Sequence, residues 1–428
     1  MSLPIRRLLL VNTLRQLPSA TNAVRFTARS FTISAPKCYD GVYKELSAMK
    51  LEKPWLQALE EREAKKYHPA GMTASGVAGQ TSIDQPQPKR MKDSYHEIVL
   101  PLAQDDWLVD TYVNSSGQLR LGSLFQDLDA LAGIIAYKHT GPGPTIVTAA
   151  VDRISIITPM HKFVDLRLSG FVSYVGRSSM EISIEARQMG ADGKPIPGNQ
   201  GLLLTCAFTM VARQPNGNGA MEISPLIVET PEEKAIFAKG QSYKNKKKDL
   251  AQTDLLRQTP NDEESDLIHQ MWMMQCQYAD PQSSVRKPED TVYMKDSVMQ
   301  STMVMQPQYR NKHSFMIFGG YLMKQTMELA FCCCSAFSHV RPTFLSLDPS
   351  TFDAPVPVGS ILYLTAKVAY TEPAQNGGSR IQVRVESKVK DVEHGKVADT
   401  GVFNYTFFVP KSIKVMPLTY TEFVSFQP

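Results

Sequence analysis

The 428-residue sequence has no apolar run of the ~18–20 residues needed to cross a bilayer as a helix. It also has little net charge, +4, and part of that excess lies in its N-terminal leader. Such a balance gives no support for binding nucleic acid. Cysteine is scarce: there are six, of which three are consecutive, Cys332-Cys333-Cys334. Neighbours on a helix point in different directions, so the triplet suits neither a metal cage nor a disulfide framework. It reads as small buried apolar residues in a reducing compartment. Acids are missing before Asp40, whereas Arg6, Arg7, Arg15, Arg25 and Arg29 surround an apolar Leu8–Val11 amid Ser and Thr. That pattern predicts a mitochondrial transit peptide over residues 1–37. The whole sequence is 43% hydrophobic and 21% charged, ordinary for a globular chain of two to three domains.

The stretch from Arg310 to Phe337 organises the chain. A polar entry leads through Ile317-Phe318 into Gly319-Gly320, and a long apolar run follows without Pro or further Gly. Leu322, Met323, Met327, Leu329, Ala330 and Phe331 predict a helix buried on most of its circumference. Two glycines at its start leave backbone N–H groups unshielded at the positive end of the helix dipole. This start can polarise a carbonyl oxygen or hold a phosphate; it can equally be a glycine pair that lets a core helix pack.

The plan occurs twice. Met91-Lys92-Asp93-Ser94 recurs at Met294-Lys295-Asp296-Ser297, 203 residues later, and Gly122 and Gly320 open helical runs 198 residues apart. Val151-Asp152 and Leu347-Asp348 keep nearly the same offset, as do Tyr174 with Tyr370 and Phe208-Thr209 with Tyr405-Thr406. A near-constant offset across separate landmarks argues for a duplicated domain. Each copy reads as an extended segment, one long helix (122–137; 320–337), then strands of period two. In the first copy these are 146–157, 164–174, 180–187 and 203–211; in the second, 343–352, 361–370, 382–390 and 402–409. The expected class is α+β, with each sheet wrapping its helix. The expected division is 38–89 helical leader and flexible linker, 90–215 first domain, 216–290 partly helical connector, 291–412 second domain and 413–428 tail.

Several blocks carry a closer likeness: MKDSYHEIVLPL (91–102), GSLFQDLDALAGIIAY (122–137), FVSYVGRSSMEISIEA (171–186), PLIVETPEEKAIF (225–237) and IFGGYLMKQTMELAF (317–331). In this order and duplicated, they resemble the mitochondrial acyl-coenzyme A thioesterases of the thioesterase 9 type. The resemblance spans about residues 90–410. It implies a tandem (double) hotdog fold, each unit a long central helix wrapped by a curved antiparallel sheet. It further implies hydrolysis of fatty acyl-CoA in the mitochondrial matrix, no cofactor besides the coenzyme A of the substrate, and a homo-oligomer built through hotdog sheets. A non-hydrolytic acyl-CoA-binding protein is the alternative.

Thioester hydrolysis needs a polarised carbonyl and an activated water or carboxylate nucleophile. Gly319 and Gly320 can supply N–H donors. Asp129, seven residues into the first helix after Gly122, is the matching carboxylate; Asp127 is a competitor on a different face. The second helix has Met327 at the seventh position and Glu328 as the nearest acid, so one competent composite site is expected. A degenerate counterpart is expected near Asn114, Gly122 and Glu328. Where related proteins carry Asp or Asn shortly before IFGG, this chain reads His313-Ser314-Phe315-Met316, which leaves His313, Ser314 and Asn311 as polar candidates. Gly176-Arg177-Ser178-Ser179, a tight turn with a cation and hydroxyls, is the candidate for coenzyme A phosphate or else a plain polar hairpin. No metal site is expected.

Overall fold

The computed structural model describes residues 87–160, 162–214, 219–250, 261–311, 315–374 and 377–426, together with 57, 59 and 60. All lie within one compact unit, Tyr39–Pro428. The transit-peptide reading of 1–37 falls outside the described residues. So does most of the 38–89 leader, of which Gln57, Leu59 and Glu60 are helical.

Two 20-residue helices form the centre, α1 (Leu121–Thr140) and α2 (Gly319–Ser338). They pack against each other and against the strands of their own halves. The first half supplies β1 (His96–Leu100), β2 (Thr145–Val151), β3 (Ile154–Ile156), β4 (Leu166–Val175), β5 (Ser179–Gln188) and β6 (Leu202–Arg213). The second supplies β7 (Met299–Val304), β8 (Thr343–Leu347), β9 (Ser350–Thr351), β10 (Ile361–Pro373), β11 (Ser379–Lys390) and β12 (Val397–Val409). Together they make one 12-stranded sheet in the order β7-β10-β11-β12-β8-β3-β6-β5-β4-β1, with β2 on β6 and β9 on β2. All its pairings are antiparallel, and the halves join where Ser346 faces Ser155 and Ser350 faces Val151. This is the expected double hotdog.

Period-two alternation made the strands readable. β11, for example, buries Ile381, Val383 and Val385 and turns Gln382, Arg384 and Glu386 outward. The expected long strands 146–157 and 343–352 are each broken. The break falls at Asp152 and Asp348, whose N–H groups donate sideways to Ala207 O and Asn404 O, at 2.8 and 3.0 Å. In the first half both pieces, β2 and β3, stay paired with β6 through the break, and it is their other edge that changes partner, from β9 to β8, which creates the seam between halves. The triplet of cysteines also departs from expectation: Cys333 and Cys334 are buried, but Cys332 is exposed.

The repeated Met-Lys-Asp-Ser block has the same job twice. Ser94 Oγ donates to Met91 O at 2.7 Å and accepts the Val172 N–H at 2.9 Å. Ser297 does the same with Met294 O (2.7 Å) and the Val368 N–H (3.0 Å). Both amides lie where the ladder slips, between Val172 and Tyr174 and between Val368 and Tyr370. A slipped ladder leaves an N–H without its strand partner, and the buried serine accepts it. The connector contains two further helices, Pro231–Leu250 and Asp262–Ala279.

His139, in the last turn of α1, is fully buried and its Nε2 lies 2.8 Å from Ser224 O. The ring donates there, and its Nδ1 has no hydrogen-bond partner among the described residues. Burial outweighs the carbonyl and holds its pKa below the ordinary histidine value. The neutral ring is thus favoured by folding. Its contribution is complete above the unfolded value of about 6.5 and is lost as pH falls through the folded value. The melting temperature is expected to drop on moving from pH 7.5 to pH 5.5, and His139→Gln to shrink that drop. An undiminished drop would place the dependence elsewhere.

Candidate active site

Neither central helix has a side-chain N-cap; the cap positions are Arg120 and Phe318. The first-turn N–H groups of a helix have no intrahelical acceptor and must find others. At α2 the acceptor comes from the other half of the chain. The Gly320 N–H donates to Asp129 Oδ2 at 2.6 Å. Thr148 Oγ1, on β2, donates to Asp129 Oδ1 at 2.8 Å. Asp129 is fully buried, at 0% exposure. A buried carboxylate is tolerated only when its oxygens are hydrogen-bonded, and the positive end of α2 favours its negative charge.

The glycines permit this approach. A Cβ on Gly319 would sit 3.2 Å from both Asp129 Oδ2 and Thr148 Oγ1. One on Gly320 would sit 2.7 Å from the Phe318 ring and 3.0 Å from Asp129 Cβ and Gln126 Cα. Asn311 closes the same region: its Nδ2 donates to Ile146 O at 3.2 Å, two residues before Thr148. Its own N–H donates to Met316 O at 2.8 Å, and Ile317 N–H to Val356 O at 2.8 Å, so the segment entering α2 is pinned on both sides. His313 and Ser314 lie outside the described residues. The structure therefore brings together Asp129, Gly319, Gly320 and Asn311 from the sequence candidates and adds Thr148. Nothing but a β-branched residue in an alternating strand marked Thr148 in the sequence.

The counterpart at the start of α1 has different chemistry. Gly122 faces α2 as Gly320 faces α1: its Cβ would meet Glu328 Oε1 at 3.1 Å and Lys324 Cγ at 3.3 Å. Arg120 Nε pairs with Glu328 Oε1 at 2.7 Å. Lys324 sits in the same cluster, and burial, then Arg120, holds its pKa below the ordinary lysine value. By the 198-residue offset, Met327 stands at the place of Asp129. By the 196-residue offset of Leu347-Asp348, Phe344 stands at that of Thr148. Asn114, the match for Asn311, accepts the Ser116 and Gln118 N–H groups within its own turn at 2.9 and 3.0 Å. Asp127 belongs to this side. It receives a short hydrogen bond from the Tyr112 hydroxyl, and its charge acts on Lys324.

The Gly176–Ser179 turn is closed by the Gly176 N–H donating to Ser179 O at 2.7 Å. Arg177 is 80% exposed and lies 3.6 Å from Glu222. The turn borders a cavity of about 300 Å³ lined also by Ile223, Pro225, Leu226 and Phe237 of the connector. Ser179 pairs with Val211, and Val211 with Val147, the neighbour of Thr148. Two strand spacings, about 10 Å, thus separate the turn from the Thr148 row.

Comparison with known sequences decides the family. The Thioesterase superfamily model matches residues 122–191. Human acyl-coenzyme A thioesterase 9, mitochondrial, is 35% identical over 357 residues, which cover 80% of this chain and 77% of that protein. The chain belongs to the acyl-coenzyme A thioesterase family. The mouse mitochondrial thioesterase 9 is 34% identical over 78% of this chain and 76% of its own length. A chloroplastic acyl-coenzyme A thioesterase 2 of Humulus lupulus is 31% identical over 76% and 75%. In this thioesterase family member, the matched 122–191 region holds both Asp129 and Thr148, whereas the glycines that meet them come from the second half.

Proposed function

We propose that this chain hydrolyses acyl-CoA to a free acid and coenzyme A at one composite site. The observation that carries the reading is the buried Asp129 carboxylate, held by Thr148 of one half and the Gly320 N–H of the other. Asp129 activates the attacking water or attacks the thioester itself. The α2 start stabilises the oxyanion, with the Gly319 N–H, first in the helix, as a donor. Asp129 and Thr148 fix the reacting geometry before substrate arrives. Exposed Arg177, with Ser178 and Ser179, holds a coenzyme A phosphate at the turn beside the connector. The reaction needs no resident metal or organic cofactor, and activity retained after dialysis against EDTA would accord with that. The Arg-rich leader directs the chain to the mitochondrion, and within it to the matrix; a fluorescent protein fused to residues 1–37 that stays cytosolic would refute this. The chain acts as a homo-oligomer through its sheets, which a monomer by light scattering at micromolar concentration would refute. Among the described residues no helix is long and apolar enough to cross a membrane.

The test is thiol release from acyl-CoA esters of two to eighteen carbons by protein lacking residues 1–37. Release is the expected result. Binding of acyl-CoA without release would identify a non-hydrolytic acyl-CoA-binding protein instead.

A further inference from the structure

Beside Asp129 lies a small apolar cluster that meets the main core only through Ile98. Ala130 and Phe318 form its buried part, and Ile98 and Ile134, both half-buried, pack against them. Ala130 and Ile134 are one turn apart on the same face of α1. The next residue on that face is Lys138, and the next inward residue on β1 beyond Ile98 is His96. There the strip changes character. Lys138 Nζ donates to Tyr95 O at 2.9 Å and lies 3.1 Å from His96 Nδ1.

The duplication supplies a comparison within the same chain. At the 198-residue offset, Phe318 corresponds to Arg120, Ala130 to Glu328 and Ile134 to Cys332; at the 203-residue offset, Ile98 corresponds to Ser301. Three of the four counterpart positions are polar, and the Arg120–Glu328 pair closes them. The counterpart site, which lacks the carboxylate and the threonine, therefore also lacks the apolar strip. Helix packing alone does not account for the strip, because the two helices pack at both of their start sites and only the Asp129 side carries it.

We infer that the acyl chain lies along Phe318, Ala130, Ile134 and Ile98, and that the Lys138–His96 pair ends this strip and sets the acyl length. The inference rests on the thioesterase reading and names the acyl subsite of that site. The eight residues from Ala130 to Lys138 span about 12 Å at the helical rise. An extended chain gains about 1.2 Å per bond, so the strip takes an acyl group of about ten carbons. Beyond Lys138, which is exposed, a longer chain meets a hydrogen-bonded cation and water instead of apolar surface and gains no further burial. Burial and then Lys138 hold the His96 pKa below its ordinary value, so the neutral ring accepts from Lys138 near neutral pH.

The experiment is kcat/KM across saturated acyl-CoA esters of two to eighteen carbons for the full chain and two variants. A profile that rises to about ten carbons and gains nothing beyond is expected for the unaltered protein. Lys138→Leu, at an exposed position, extends the apolar strip and is expected to raise the sixteen-to-eight-carbon ratio about tenfold. Ile134→Trp fills it and is expected to lower the ten-to-two-carbon ratio about tenfold. An unaltered protein that hydrolyses esters, with Lys138→Leu keeping its profile, overturns the inference. If Ile134→Trp fails to fold by circular dichroism, the Lys138 variant decides. If no thiol is released at all, the thioesterase reading fails. The subsite is then read from the binding of thioether analogues of the same lengths, and unchanged length dependence in Lys138→Leu overturns it too.

Discussion

Asp129→Asn is expected to lower kcat by about a thousandfold while KM moves little, since the amide keeps the volume and removes the base or nucleophile. The amide can still accept from Thr148 through its oxygen, so the fold should survive, but an NH₂ group facing the Gly320 N–H sets two donors against each other. Melting temperature is therefore expected to fall by a few degrees, corresponding to about 1–2 kcal/mol for a buried donor left without an acceptor. Asp127→Asn discriminates. Its partners include the Tyr112 hydroxyl and the Lys324 charge on the Arg120–Glu328 side, so it should lose stability and keep most turnover. Near-full turnover in Asp129→Asn with loss in Asp127→Asn would reverse the assignment.

Gly320→Ala is expected to reduce kcat/KM about a hundredfold. Alanine favours a helix over glycine by about 1 kcal/mol, which taken alone would stabilise α2. The added Cβ, however, would lie 3.0 Å from Gln126 Cα, which is backbone and cannot swing aside, and 2.7 Å from the Phe318 ring. Overpacking of that kind costs about 1–3 kcal/mol and moves α2 away from α1. A displacement approaching 1 Å at the Asp129–Gly320 hydrogen bond is enough for about a hundredfold loss in rate. Gly122→Ala is the matched control. Its Cβ meets the carboxylate end of Glu328 at 3.1 Å and Lys324 Cγ at 3.3 Å, both on flexible side chains. Its effect on rate should stay within about threefold. Equal losses in the two variants would mean that helix packing, rather than the α2 start, sets the rate.

The strands and both central helices were legible because each buries one face, and burial imposes a period. The duplication was legible because its landmarks keep register. Asp129 could be put forward, with Asp127 beside it, because Gly-Gly and a helix acid occur in different copies, so that each copy lacks what the other has. Thr148 could not, because a threonine in a half-buried strand is unremarkable until its hydroxyl is placed 2.8 Å from Asp129. The pairing of Arg120 with Glu328 joins residues 208 positions apart, and no local pattern carries that information. The strand breaks at Asp152 and Asp348 were hidden for the same reason: β-branched residues continue through them, and the change of partner is tertiary.

The central claim is a single competent site per chain, built from both halves. Its most direct measurement is the calorimetric binding stoichiometry of a thioether analogue of decanoyl-CoA, which binds without turning over. One equivalent per chain is predicted, abolished or strongly weakened by Gly320→Ala and not by Gly122→Ala. Two equivalents per chain of similar affinity would contradict the account, because the Arg120–Glu328–Lys324 cluster would then be a working site.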